Sequence, residues 1–178
     1  MKIIEKYLTE KELEPVADLL GEQVYMIFSP GLNVNLKIIE ADSYSLSLKK
    51  GFFNFFTSWI DSDEYDYYEI NLSKSEYPFG IKRNDDGLLL KTSSISITPV
   101  SKIKRIELFE DKADYELNGP THEIITVKYD SAFLFSQKDG KKFLIGVSET
   151  IADLTLFLRD EQAIIEHLAK MEKRKEWK

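Results

Sequence analysis

Apolar and polar residues alternate with a period of two over long stretches of this 178-residue chain. Tyr44 and Leu46 alternate with serines, and Tyr68, Ile70 and Leu72 alternate with other side chains in the same way. Because successive side chains of a β-strand point to opposite faces of a sheet, this spacing predicts strands with one buried and one wet side. Such one-sided strands are typical of antiparallel sheets.

Other segments carry the same signal. Val34, Leu36 and Ile38 are predicted to share one face of a strand. Further strands are predicted at residues 88–90, 95–98, 103–109 and 124–129. The apolar phase slips within the third of these segments, which predicts a β-bulge at residues 104–105. The turn residues at positions 84–87 predict a hairpin.

The turn at residues 138–140 predicts a hairpin whose register can be decided. A two-residue loop would scatter the large side chains of both strands over two faces. A three-residue loop, with its glycine in the left-handed conformation, opposes Phe133 to Ile145 and Phe135 to Phe143. We predict the three-residue loop because it gives a single buried face.

A first helix is predicted over residues 9–21, where apolar residues recur at helical spacing. Thr9 and Glu12 fit a capping box at its start. Pro15 conflicts with a helix interior, because it removes a hydrogen bond and clashes with the preceding turn. The helix is therefore expected either to start nearer Leu13 or to kink.

A second helix is predicted to begin at Asp160, as N-cap, and to run into the lysine-rich end of the chain. Its buried face is predicted to carry Ile164, Ile165, Leu168 and Met171. A capping box at Thr150 would begin a helix over residues 150–158, but the apolar residues of this segment alternate as in a strand. We favour a final strand there.

This order predicts an α+β fold: a mainly antiparallel, curled β-sheet of about eight strands, with an N-terminal helix and a C-terminal helix packed on it. One domain over residues 1–178 is expected, with a short basic tail at residues 172–178. The order of elements in the second half is similar to that of a pleckstrin-like roll, which implies a C-terminal helix plugging a bent sheet. No sequence motif accompanies this similarity.

Composition excludes several kinds of chemistry. The chain has no cysteine, which rules out disulfides, thiolate zinc sites and cysteine nucleophiles. Its two histidines, His122 and His167, lack partners at ligand spacing, and no phosphate-binding glycine motif is present. The net charge of −7 predicts that the chain binds neither nucleic acid nor anionic membrane. The charged N-terminus does not resemble a signal peptide, so a cytoplasmic location is expected.

Ten of the 22 aromatic residues lie between Phe52 and Phe79, and acidic residues interleave with them. The phenylalanines at positions 52–56 are interpreted as core residues. The acidic residues do not form a calcium loop, because Tyr65, Asp66 and Leu72 stand where an EF-hand needs an oxygen ligand, a glycine and a glutamate. Tyr65, Tyr67 and Glu69 are instead predicted to point outward. The candidate binding residues, here called the acidic–aromatic segment, are Trp59, Asp61, Asp63, Glu64, Tyr65, Asp66, Tyr67 and Glu69.

Three functions follow from these features, without a cofactor or a metal. The first is a non-enzymatic interaction module whose acidic–aromatic segment binds a basic protein partner; an inhibitor-like or immunity-like role suits its charge and size. The second is a small-ligand-binding domain with an aromatic-lined pocket in the sheet. The third is a hydrolase that uses paired carboxylates. Residues 170–178 carry a net charge of +3. The basic tail at their end is a candidate contact with another copy of the chain.

Overall fold

The computed structural model describes residues 2–116, 123–148 and 153–178. These residues form two short α-helices, α1 Glu10–Leu13 and α2 Glu161–Leu168, and a 3₁₀ helix at Glu14–Leu19. The strands of the described residues are β1 Lys2–Lys6, β2 Met26–Ser29, β3 Asn33–Asn35, β4 Ile38–Ala41, β5 Ser43–Ser47, β6 Phe52–Ile60, β7 Tyr67–Ser75, β8 Lys82–Arg83, β9 Leu89–Leu90, β10 Ser93–Ser96, β11 Ile103–Glu116, β12 Ile124–Gln137, β13 Lys142–Val147, β14 Thr155–Leu158 and β15 Glu172–Trp177.

The strands form an eight-stranded sheet, a five-stranded sheet and a two-stranded hairpin. In the large sheet the order is β15-β11-β12-β13-β14-β4-β3, and β1 pairs in parallel with the first half of β12. In the smaller sheet the order is β10-β2-β5-β6-β7. The predicted α+β class and the mainly antiparallel pairing are confirmed. The large sheet has the eight strands that were predicted. The division into two large sheets and a hairpin was not predicted, and strands of two or three residues such as β8, β9 and β3 carry too little periodicity to be recognised.

The two large sheets share one apolar core, which is rich in phenylalanine. Phe53 and Phe55 of β6 are fully buried there. The ring of Phe55 lies 5.6 Å from that of Phe133 and 5.9 Å from that of Phe135, both at edge-to-face angles. Ile70 is buried in the same core, and Tyr68 and Leu72 pack against it, as the alternation along β7 predicts.

The predicted turns are confirmed. Phe133 pairs with Ile145 and Phe135 with Phe143, which is the register of the three-residue loop. The register of β11 against β12 shifts between Ile103 and Arg105, where the bulge is predicted. Strands β8 and β9 form the hairpin predicted around residues 84–87. These features depend on neighbouring residues, so the local sequence specifies them.

The first helix is shorter than predicted. The capping box is present, since the Thr9 hydroxyl accepts from the Glu12 amide and the Glu12 carboxylate accepts from the Thr9 amide. The α-helix ends at Leu13, and Pro15 lies in the first turn of the 3₁₀ helix that follows. The missing amide of a proline costs nothing in a first turn, which explains why the helix type changes here.

The end of the chain differs from the prediction. α2 ends at Leu168, and Glu172–Trp177 forms strand β15, which pairs antiparallel with β11. The predicted buried residue Ile165 is 57% exposed. Ile164 is buried, and Leu168 and Met171 pack against the same apolar cluster, as predicted. The predicted helix was too long, because edge pairing of β15 with β11 overrides the helical propensity of the residues after Met171.

The prediction for Val34, Leu36 and Ile38 was wrong. Asn35 pairs with Ile38 across a two-residue turn, so Val34 and Ile38 lie on opposite faces of the β3–β4 hairpin. Leu36 occupies that turn with a φ of 54° and is 96% exposed. A turn resets the alternation of side chains, which the spacing alone does not reveal. Within residues 150–158, β14 Thr155–Leu158 confirms a strand, although β15 and not β14 is the last strand of the chain. Residues 150–152 and His122 lie outside the described residues.

The sheets are not plainly curled or closed, so the curl and the pleckstrin-like roll stay predictions. In the described residues, none of the helices has the length and apolar character needed to cross a membrane.

Candidate functional site

The acidic–aromatic segment spans the end of β6, the loop at residues 61–66 and the start of β7. Ile60 pairs with Tyr67 below the loop, and β7 lies at the edge of its sheet. Four acidic residues of the segment are exposed: Asp61, Asp63, Glu64 and Glu69. The other four are half-buried: Trp59, Tyr65, Asp66 and Tyr67. The structure therefore brings all eight candidate residues together at one end of a hairpin.

The two tyrosines form the base of this surface. Tyr65 and Tyr67 lie 6.4 Å apart between ring centroids, and both pack on a small cluster of Ile125, Val127 and Tyr129 at the start of β12. They are less exposed than strand alternation predicts, because β12 and β1 extend beneath this end of the hairpin. The neighbouring acidic residues of the segment are exposed, whereas the two tyrosine rings are half-buried.

A cation of the same chain already lies over the tyrosines. The Lys6 Nζ atom is 5.6 Å from the centroid of Tyr65 and 5.2 Å from that of Tyr67. Both distances are within the range at which an ammonium group is attracted to an aromatic face. Strand β1 places this lysine beside the tyrosines, because Lys6 pairs with Tyr129 of β12. The tyrosine pair is therefore able to hold a lysine ammonium group.

Asp66 links the loop to the large sheet. The Tyr115 hydroxyl of β11 donates to the Asp66 carbonyl oxygen at 2.7 Å. Burial raises the pKa of the Asp66 carboxyl above its ordinary value, and its hydrogen bond and charge interaction with Asp61 raise it further. A cation near the Asp66 carboxyl group would favour its ionised form.

The other end of the segment is fixed by Trp59. The Asp153 Oδ1 atom accepts a hydrogen bond from the Trp59 amide at 2.6 Å. The Trp59 ring meets Tyr68 edge to face, at 4.7 Å between centroids. Trp59 is thus fixed by Tyr68 on the partner strand of the hairpin and by Asp153 in the segment before β14.

A shallow cavity of about 160 Å³ adjoins the segment, between the edge of β7 and the connection from β1 to α1. Glu5, Lys6, Glu12, Tyr67 and Glu69 contribute to its walls. Four of the nine residues that line the cavity are acidic, and one is basic. The acidic character of the loop therefore extends along the edge of β7.

The basic end of the chain is folded onto acidic residues. Arg174 makes a bidentate pair with buried Asp130, at 2.6 Å from Nε and 2.7 Å from Nη2. The Lys173 Nζ atom lies 3.2 Å from Glu107 and 2.9 Å from Glu176. Lys175 forms an ion pair with Glu10. These cations of the tail make intramolecular contacts, which the sequence did not predict.

Metal ligands and aromatic pockets receive little support. Across residues 2–116, 123–148 and 153–178, no group of three or more His, Asp or Glu side chains is arranged to hold a metal ion. Phe53 and Phe55 fill the core between the sheets, as predicted for this part of the chain, and so do not line a pocket.

Sequence reasoning missed Lys6, Tyr115 and Asp153 as parts of this surface. Each lies far from the segment in sequence and reaches it through pairing of distant strands or a loop contact. No local pattern marks any of them. Only the parallel pairing of β1 with β12 brings Lys6 to the tyrosines.

Comparison of the chain with known protein families, with curated proteins and with solved structures finds no match. The function is therefore argued from the geometry of this surface.

Proposed function

We propose that the protein is a non-enzymatic interaction module of the cytoplasm whose acidic–aromatic segment binds a cationic surface of a partner protein. The observation that supports this most directly is the position of Lys6 over the rings of Tyr65 and Tyr67. A partner's lysine or arginine could occupy the same aromatic faces in place of Lys6. An inhibitor-like or immunity-like role is compatible with such a surface.

The arrangement of charge supports the same proposal. Four acidic residues that flank the tyrosines in the chain are exposed, so they can attract a cationic partner before contact; they are Asp61, Asp63, Glu64 and Glu69. The tyrosines supply amphipathic contact area that is already partly ordered by packing on β12. Ordered aromatic side chains lose little entropy on binding, which favours affinity. Charge would thus govern the rate of association, and the tyrosines would stabilise the complex.

The proposal is tested by titrating the protein with a hexa-arginine peptide and measuring affinity by calorimetry. Replacing Asp63 by Asn together with Glu64 by Gln should weaken binding about two- to thirtyfold, because two exposed ion pairs are lost and each contributes roughly 0.2–1 kcal/mol. The loss should shrink as salt is added, since salt screens exposed charges.

The matched control replaces Asp85 and Asp86 by Asn, which removes two exposed charges from the turn between β8 and β9. This control changes the net charge by the same amount at a distant turn. If both double variants bind the peptide equally well, the acidic–aromatic segment is not the binding surface.

A further inference from the structure

A solvent-open hollow of about 340 Å³ lies where the turn between β12 and β13 approaches the start of α2. Lys141, Lys142 and Arg159 line it, together with Thr98, Glu161 and Ile164. Its size falls at the lower end of the range typical of small-molecule sites. The hollow shares no residue with the acidic–aromatic segment.

The charge of this hollow is opposite to that of the whole chain. It has three basic side chains and one acidic side chain in its lining, in a protein with a net charge of −7. Within the described ranges, no ion pair joins Lys141, Lys142 or Arg159 to a carboxylate. By contrast, the Lys128 Nζ atom lies 2.9 Å from Glu110. The three basic side chains of the hollow are therefore available to bind an anion.

Arg159 is held in place by backbone oxygens. Its Nη1 atom donates to the Ser96 carbonyl at 3.3 Å, and its Nη2 atom donates to the Thr98 carbonyl. A guanidinium group has five N–H donors in a rigid fork, so others remain for a ligand. That fork matches the spacing of two oxygens of a phosphate group. The anchoring removes part of the entropy cost of ordering this side chain.

We propose that this hollow binds a small molecule that carries a phosphate monoester. The Arg159 fork contacts two phosphate oxygens, and Lys141 and Lys142 neutralise the second negative charge. Ile164 offers an apolar contact to the organic group. The N-terminus of α2 is not used, because the Asp160 side chain already accepts from the Ala163 amide at 3.0 Å.

The test is a titration with inorganic phosphate and with glycerol 3-phosphate at constant ionic strength, followed by calorimetry and by amide chemical shifts. Both ligands should bind, with shifts centred on residues 140–142 and 159–161. Tighter binding of glycerol 3-phosphate indicates an ester, whereas equal binding overturns the assignment to an ester and leaves an inorganic phosphate site.

Substitutions of the lining residues test which side chains bind the phosphate. Arg159→Gln should weaken binding roughly tenfold or more, because charge-assisted hydrogen bonds are lost. Glu161→Gln should strengthen it, because the single acidic side chain of the lining then no longer repels the anion. Since Arg159 also tethers Ser96 and Thr98, the double variant K141Q/K142Q replaces it if Arg159→Gln does not fold.

The matched control is K49Q/K50Q, which removes two exposed lysines from the turn between β5 and β6. Its affinity for phosphate should equal that of the unmodified protein. The proposal is overturned if phosphate binds no better than chloride, or if the control weakens binding as much as K141Q/K142Q does.

Discussion

Lys6 connects the fold of this protein to its proposed function. Its ammonium group lies over Tyr65 and Tyr67, where a partner's cation would bind. A cation over an aromatic ring contributes about 0.5–1 kcal/mol at an exposed site. Lys6 therefore both demonstrates that the tyrosines accept a cation and competes with any partner for them.

Replacing Lys6 by Met should raise the affinity for a hexa-arginine peptide about two- to fivefold, because the change frees the tyrosine faces. The control is Lys2→Met, which removes one exposed lysine from the same strand without altering the tyrosine contacts. Calorimetry measures both. An equal increase in the two variants would mean that only net charge matters and that the tyrosines take no part.

Among the elements, strand β15 shows how a charged segment becomes part of a sheet. Its Arg174 is paired with Asp130, which is 2% exposed and also accepts a hydrogen bond from the Leu8 amide. Burial raises the pKa of Asp130, and the contacts with Arg174 and Leu8 oppose that rise. Trp177 stacks on Phe133 at 6.4 Å between centroids and so joins the strand to the core. β15 is therefore held by both charge and packing.

Arg174→Met should lower the free energy of unfolding by about 3–5 kcal/mol, because it leaves a buried carboxylate without its partner. Adding Asp130→Asn should recover part of that loss. Lys173→Met, at a half-exposed lysine next along the strand, should cost only about 0–1 kcal/mol, because its buried partner Glu107 keeps its ion pair with Arg105. Urea denaturation measures all three variants. Similar losses for Arg174→Met and Lys173→Met would show that the buried pair does not fix the strand.

The elements also show what the sequence can predict. The turn at residues 138–140 and its register follow from a local glycine and from the alternation of large side chains on both sides. β15 does not, because its pairing with β11 joins residues that are far apart in the chain. Likewise the exposed acids at positions 61–64 are predictable, but the burial of Tyr65 and Tyr67 requires the ends of β1 and β12. Long-range pairing is the information that local patterns lack.

On the scale of the whole molecule, two surfaces of opposite charge occupy separate parts of one fold. The acidic–aromatic segment lies in the β6–β7 hairpin, beside the cavity at the edge of β7. The hollow lined by three basic side chains lies by the turn between β12 and β13. A single net charge of −7 conceals this separation. We therefore predict that cationic and anionic ligands bind at different places on the same molecule.

The most direct test of the proposed function is to map the binding of the hexa-arginine peptide by amide chemical shifts. Shifts should concentrate in residues 59–69 and at Lys6, and they should diminish in the variant that carries Asp63→Asn and Glu64→Gln. A peptide that shifts the amides around Asp85 and Asp86 as strongly, or leaves Tyr65, Tyr67 and Lys6 unchanged, would contradict the proposal.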